Sequence, residues 1–300
     1  MNDNDSLQLL AGTLGLPIHH LEPIVHAGDG RLFRIPGLGI AKLYESGSDK
    51  LRSALAAAKR ISDAGLTFSP RLLDVVEFGE SDVAVIFEYI EGAHPPNDFL
   101  NVCDHRADLT LLLDTLHSNH ADQFSRAPFT SSSSFSDWPS FLRSQLEKIP
   151  VRFLERTGSP AESFLYEAIE YTRATLSDAH DLLLRVQPSL VHRDVSARNL
   201  LIPRKGGLML LDFDLAAYYD PFFDFVKLDL FNPPSSKNSW EALVKGYCLQ
   251  TETDVDEAFM RIGVCRSLEL LWGYPALIAM GSSAADTWKH QIQELVEKHA

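Results

Sequence analysis

Asp194 and Asn199, together in the stretch VHRDVSARNLL, and Asp212, which opens DFD, supply two carboxylates and an amide from one short region of chain. An amide oxygen and a carboxylate oxygen, in a site that keeps some waters, suit Mg²⁺ bridging the phosphates of a nucleotide. A separate carboxylate close to the metal can accept a proton from an alcohol and orient it toward a terminal phosphoryl group. Taken singly, Asp194 reads as well as a turn cap, His192 as a packed core histidine and Asn199 as a turn residue. Their joint order and spacing carry the chemical reading.

The chain must then gather these groups. Two apolar runs, NLLI and LMLLDF, flank PRKGG, so the sequence predicts a hairpin whose second strand ends at Asp212 and Asp214 and returns Asp212 to the neighbourhood of Asn199. From Leu21 to Glu91 the pattern is mostly strand-like: PIVHAGDGRLFRI reads as two strands joined by a Gly-Asp-Gly turn, GIAKLY as a third, and VAVIFEYI as a fifth or so after RLLDVVEFGES. One helix interrupts them, DKLRSALAAAKRISDAG, capped near Ser48 or Asp49 and stopped at Gly65. Beyond Gly92, AHPPND is a connector, and helical spacing dominates DLTLLLDTLHSNHA, SFSDWPSFLRSQLEKI, SPAESFLYEAIEYTRATLSDAHDLLLRV and the tail from Trp240. Ser131 to Ser134 reads as a loop between helices. The expected architecture is α+β in two lobes, a small β-rich one over residues 1–92 and a larger, mainly α one over residues 93–300.

Composition narrows the function classes. A chain of 300 residues with 45% hydrophobic content can bury more than one core's worth of apolar surface. A formal net charge of −14 argues against nucleic acid, whose phosphates attract basic faces. The same acidity fits a cationic ligand, or uniform surface charge that serves solubility. The three cysteines, Cys103, Cys248 and Cys265, are far apart and odd in number, which suggests neither a disulfide framework nor a zinc site. The acidic start MNDNDSLQLL is unlike a signal peptide, and no apolar run reaches the ~18 residues of a membrane helix. The expected setting is cytoplasmic.

The ordered set His192-Arg193-Asp194, Asn199 and Asp212 matches the kinase template, with DFD where kinases carry DFG. HRDVSARN is similar to the HRDLAARN loop of protein tyrosine kinases, but DFDLAAYYDPFFDFVKL runs straight from Asp212 to Asp220-Pro221 with no activation segment. The chain therefore more closely resembles the aminoglycoside phosphotransferase and choline kinase-like superfamily, which carries an H-x-D-x-x-x-x-N loop, a hairpin, an I-D-[WFY] metal motif and D-P-x-x-D. LLDFD and YYDPFFD follow that pattern, ending in Asp220 and Asp224; DTLHSNH resembles the superfamily's L-H helix and VIFEYIEG its hinge. The resemblance spans roughly Leu21 to Leu230 and is specific from Val191 to Asp224.

That resemblance implies a protein-kinase-like fold and transfer of the γ-phosphoryl group of ATP or GTP to a hydroxyl of a small molecule, aminoglycoside-, amino alcohol- or sugar-like. It implies Asp194 as base, Asn199 and Asp212 as Mg²⁺ ligands, and Lys42 on the α- and β-phosphates. Glu88 to Ile90 would meet adenine. Gly28 and Gly30 would lie over the phosphates, although a plain hairpin turn fits them as well. Two positions depart from the kinase pattern. The helix that should supply a Glu to Lys42 offers Ala54, Ala56, Ala57 or Ala58, and Asp214 replaces the Gly of DFG. The missing Glu keeps a regulatory pseudokinase among the alternatives, and HRDVSARN keeps a protein kinase there. Asp229, Glu269, Trp272 and Tyr274 are candidates to line the acceptor pocket.

Overall fold

The computed structural model describes residues 3–24, 32–126, 134–231 and 236–297. The turn holding Gly28 and Gly30, and Ser131 to Ser133 of the serine patch, lie outside the described residues. A helix α1 (Asp3–Thr13), not expected from the sequence, precedes β1 (Glu22–Pro23), β2 (Leu32–Ile35) and β3 (Gly39–Glu45). Then follow α2 (Asp49–Asp63), β4 (Leu72–Phe78) and β5 (Asp82–Phe87). The strands form one antiparallel sheet in the order β1-β2-β3-β5-β4.

Alternation along β3 decides where its lysine points. Successive side chains of a strand leave on opposite faces. Ala41 and Leu43 join Leu10, Ala11, Ala84 and Ile86 on the face covered by α1. Tyr44, on the other face, packs with Val83, Val85 and the α2 residues Leu51 and Ala54, and Lys42 shares that face by its spacing. β5 is buried on both sides, which explains its unbroken run of apolar residues. The Ser48 side chain caps α2 by accepting from Leu51 N–H at 3.2 Å, and Gly65 ends the turn beyond the helix at φ 65°.

The remainder is mainly helical, with short strands inserted. In chain order it comprises β6 (Gly92–Ala93), α3 (Cys103–His117), β7 (Ser125–Arg126), α4 (Trp138–Thr157), α5 (Ser163–Asp178), α6 (His180–Leu183) and β8 (Ser189–Val191). After β9 (Leu200–Pro203), β10 (Met209–Leu210) and β11 (Ala217–Tyr219) come α7 (Asp224–Phe231), α8 (Lys237–Gln250), α9 (Val255–Ala279) and α10 (Ala284–Glu297). The stretch read as one pattern from Ser159 to Val186 divides at Ala179 into α5 and α6.

The expected hairpin is β9–β10, paired Leu201 to Met209 and Leu200 to Leu210. β6 joins it as a third strand, placing the end of the small lobe against the hairpin. A side chain on Gly92 would put its Cβ 2.4 Å from the Ile202 carbonyl oxygen, so the close approach requires glycine there. A third sheet, β7-β11-β8, leads out of β8 into the loop that holds Asp194. Two apolar cores lie to either side of these strands, one against α4, α5, α9 and α10, the other against α3 and α8. Among the described residues no helix is long and apolar enough to cross a membrane.

Candidate active site

The loop leaving β8 is tied down before it reaches Asp194. His192 is fully buried; its Nε2 lies 2.7 Å from the Leu211 carbonyl and its Nδ1 takes the Asp194 N–H at 3.2 Å. That pattern assigns the proton to Nε2. His192 thus packs the loop, as the sequence suggested. Asp224, at the head of α7, accepts from the N–H groups of His192 at 2.9 Å and Arg193 at 2.6 Å, and from His117 Nε2 at 3.0 Å. His117 Nδ1 in turn meets Tyr247 Oη at 2.8 Å. The L-H helix and the last Asp of DPFFD therefore form one buried brace. It holds Arg193 at φ 68°, in the left-handed region that a non-glycine residue rarely adopts.

Asp194 is surrounded by donors. Its Oδ1 takes Lys227 Nζ at 2.9 Å; its Oδ2 takes Asn199 Nδ2 at 2.8 Å and an Arg198 guanidinium N–H at 3.1 Å. Burial opposes ionisation here, but Lys227 and Arg198 outweigh it and hold the carboxyl below the ordinary carboxylate range. Lys227 is buried too, and its ammonium is retained by Glu269, 3.4 Å away, together with Asp194. Lys227 and Arg198 were absent from the expected site. Lys227 had a legible signal, since it lies three residues after Asp224 and therefore on the same helix face.

The other half of the site is assembled across the lobes. Leu211 N–H donates to the Asn199 carbonyl at 2.8 Å, which brings the hairpin's end back to the loop as expected. Asp212 then turns at φ 64°, so two of the three described non-glycine residues with positive φ belong to this site. Lys42 Nζ reaches from β3 to Asp212 Oδ1 at 2.8 Å and to Asp214 Oδ2 at 2.7 Å. Tyr44, two residues along on the same face, donates to Asp214 Oδ1 at 2.9 Å. Asp214 is thus the acid that holds Lys42 where α2 offers only alanines; Ala54 and Ala57 are buried beneath it in apolar contacts.

The two aspartates differ in environment. The Asp212 side chain is 44% exposed and that of Asp214 18%. Burial and the charge of Asp212 push the Asp214 carboxyl up; Asp212 is pulled down by Lys42 against its own desolvation. Lys42 stays charged because the two carboxylates outweigh its burial. The outward Asp212 and the amide oxygen of Asn199, whose nitrogen is spent on Asp194, are hard oxygen donors of the kind Mg²⁺ takes alongside phosphate and water. The donor set therefore fits the expected ion.

The proposed hinge residues sit between β5 and β6. Glu88 N–H donates to the Arg71 carbonyl at 2.8 Å and its carboxylate meets Arg71 Nε at 3.0 Å, while Tyr89 lies under Arg34. The side chain of Glu88 is thus engaged away from a ligand, and any purine contact there is made by backbone. Of the four acceptor-wall candidates, Asp229 pairs with Arg266 at 3.1 Å, Glu269 with Lys227, and Tyr274 is buried in the core. Trp272 instead receives two guanidinium groups, those of Arg126 and Arg152.

Between Asp212 and Asp220 the chain has room only for a short turn and β11, which pairs directly with β8. Asp220 is fully buried and accepts from the Arg261 guanidinium through both oxygens at 2.9 Å, as well as from Phe222 N–H. The first Asp of DPFFD is accordingly a structural anchor between β11 and α9. Nothing in the sequence singled out Arg261.

Solved structures of other proteins share this fold. No curated protein matches the sequence. A thermostable mutant of the aminoglycoside phosphotransferase APH(4)-Ia is similar in structure, with a TM-score of 0.72 over 98% of this chain and 99% of that one at 14% identity. The GDP complex of aminoglycoside 2′-phosphotransferase-IIIa gives 0.68 over 99% and 98% at 16% identity. ADP-bound APH(2″)-Ib gives 0.64 over 98% and 97% at 18% identity. These likenesses establish the two-lobed, kinase-like fold. The model of the phosphotransferase enzyme family matches residues 29–260, more than half of the chain. The chain belongs to that family.

Proposed function

We propose that the protein transfers the γ-phosphoryl group of ATP or GTP to a hydroxyl of a small molecule in the cytoplasm, with residues 1–92 binding the nucleotide and residues 93–300 supplying catalysis and acceptor binding. The observation that carries this reading is the span of Lys42 from β3 to Asp212, beside Asn199 and Asp194. One cation, one outward carboxylate, one amide oxygen and one buried carboxylate thereby meet at the lobe junction. Lys42 binds the α- and β-phosphates, the Glu88 carbonyl and Ile90 N–H take the purine edge, and Asn199 with Asp212 hold Mg²⁺. When bound, the ion neutralises phosphate charge that grows in the transition state.

Asp194 orients the acceptor hydroxyl. The acceptor oxygen forms a bond to the γ-phosphorus, the bond from phosphorus to the β-phosphate oxygen breaks, and the nucleoside diphosphate leaves with that electron pair. The acceptor proton passes to Asp194. A carboxylate held by Lys227 and Arg198 is a weak base, which suits a loose transition state that needs positioning more than early deprotonation. Aminoglycosides accompany the relatives in ternary complexes, such as hygromycin B with APH(4)-Ia, and are among the acceptors to test. The test is nucleoside diphosphate release from Mg·ATP and Mg·GTP with sugars, amino alcohols and aminoglycosides. Transfer to protein substrates with none to small alcohols would replace this reading with a protein kinase.

A further inference from the structure

We infer that the acceptor carries an anionic group, a carboxylate or a phosphate, which Arg126, Arg152 and Arg193 hold beside Asp194. The inference rests on the phosphotransfer reading and concerns the acceptor half of the same site.

Two aromatic rings link the three guanidinium groups. Arg126 and Arg152 lie 4.5 and 4.4 Å from the centre of the Trp272 ring. Arg126 Nε donates to Tyr219 Oη, and Arg193 lies 4.9 Å from the centre of the Tyr219 ring. Arg193 directly precedes Asp194. The remaining contacts are neutral: Arg152 Nε donates to the Trp272 carbonyl at 3.0 Å and Arg193 to that of Leu215 at 3.4 Å. Arg193 Nε is buried and has no hydrogen-bond partner among the described residues. None of the three guanidinium groups forms an ion pair with a described carboxylate.

In a chain of net charge −14, that is an uneven distribution. Glu269, whose charge acts on Arg152, is spent on Lys227, and Asp194 is taken up by Lys227, Asn199 and Arg198. Burial and the charges of Arg156 and Arg126 push Arg152 down to about 10, with Glu269 giving only partial relief, so positive charge is gathered there without its counterion. Planar guanidinium groups pre-oriented on aromatic faces are suited to bidentate capture of a carboxylate or phosphate. Lys227 also lines a cavity of about 230 Å³ with Asn97, Ser196, Arg198 and Phe231, and no carboxylate lines it. Ser196 Oγ there is buried and without a partner among the described residues. The lining of this cavity carries two cations and no carboxylate, unlike the acidic chain as a whole.

The test uses one sugar skeleton at different charge: gluconate, glucose 6-phosphate, glucose and glucosamine, with kanamycin added. Binding is read as a shift in Tm with magnesium and a non-hydrolysable ATP analogue saturating the nucleotide site, and turnover as ADP release with Mg·ATP. The anionic members should raise Tm and glucose and glucosamine should not; gluconate against glucose 6-phosphate separates carboxylate from phosphate. Arg126→Gln and Arg152→Gln, tested separately so that one misfolded variant does not decide the matter, should each weaken anion binding ~10-fold or more. No response to either anion, a response to glucosamine or kanamycin at least as large, or unchanged anion affinity in both folded variants would overturn the inference. An anion-induced Tm shift without ADP release from any acceptor would instead count against phosphotransfer. ADP release with kanamycin and no response to anions would leave phosphotransfer intact and remove the anionic acceptor.

Discussion

Lys42 Nζ lies 2.7 Å from Asp214 Oδ2, a contact between the small lobe's sheet and the turn after the hairpin. The helix acid usual in kinases is replaced by an acid two residues beyond Asp212. Asp214→Asn removes that charge while keeping the side chain's shape. Its KM for Mg·nucleotide should rise ~10-fold, the scale of one charge-assisted hydrogen bond. Combined with Lys42→Ala, the effects should fall well short of additive, because both act through one contact. A double-mutant cycle on nucleotide affinity checks this; full additivity would mean that Asp214 does not act through Lys42.

Asp220 and Arg261 are both buried and joined through two hydrogen bonds. Arg261→Met leaves a buried carboxylate with only Phe222 N–H as partner, a change that costs about 3–5 kcal/mol in comparable pairs. Denaturant unfolding should show the midpoint falling accordingly. A midpoint within error of wild type would remove the pair from the set that anchors β11 to α9.

The low pKa of Asp194 sets a pH profile. In the proposed mechanism the ionised form of Asp194 is the active one, so kcat/KM should rise with pH through that pKa, and depression by Lys227 and Arg198 should extend activity to lower pH. The acidic limb should therefore fall below the ordinary Asp value of about 3.9. Lys227→Met removes the nearer cation and should move the limb upward. Movement downward, or none, would contradict the assignment of Lys227 as the group that holds Asp194.

The small lobe and the loop from His192 to Asn199 were legible because their signals are local. The strand-like runs GIAKLY and VAVIFEYI, the Ser48 cap, and the spacing from Asp194 through Asn199 to Asp212 all depend on neighbours along the chain. The illegible parts depend on distant partners. Arg261 meets Asp220 from 41 positions away, and Asp214 meets Lys42 across 172, so no spacing rule could pair them. The missing helix acid was visible as an absence, and its replacement became visible only once the lobes were folded together. The departure in DFD and the departure in α2 are one rearrangement.

The shortness of the chain between Asp212 and Asp220 leaves no segment there whose phosphorylation could order the site. The enzyme should be active as purified, and phosphatase treatment should leave its rate on a small-molecule acceptor unchanged. A rate that falls with dephosphorylation would point to a control element elsewhere in the chain.

Asp194→Asn tests the central claim most directly, with nucleotide affinity and acceptor-dependent ADP release measured on the same folded preparation. The account predicts Mg·nucleotide binding close to wild type and turnover lower by ~100-fold or more, the scale of a positioned base. Wild-type turnover in that variant would contradict it.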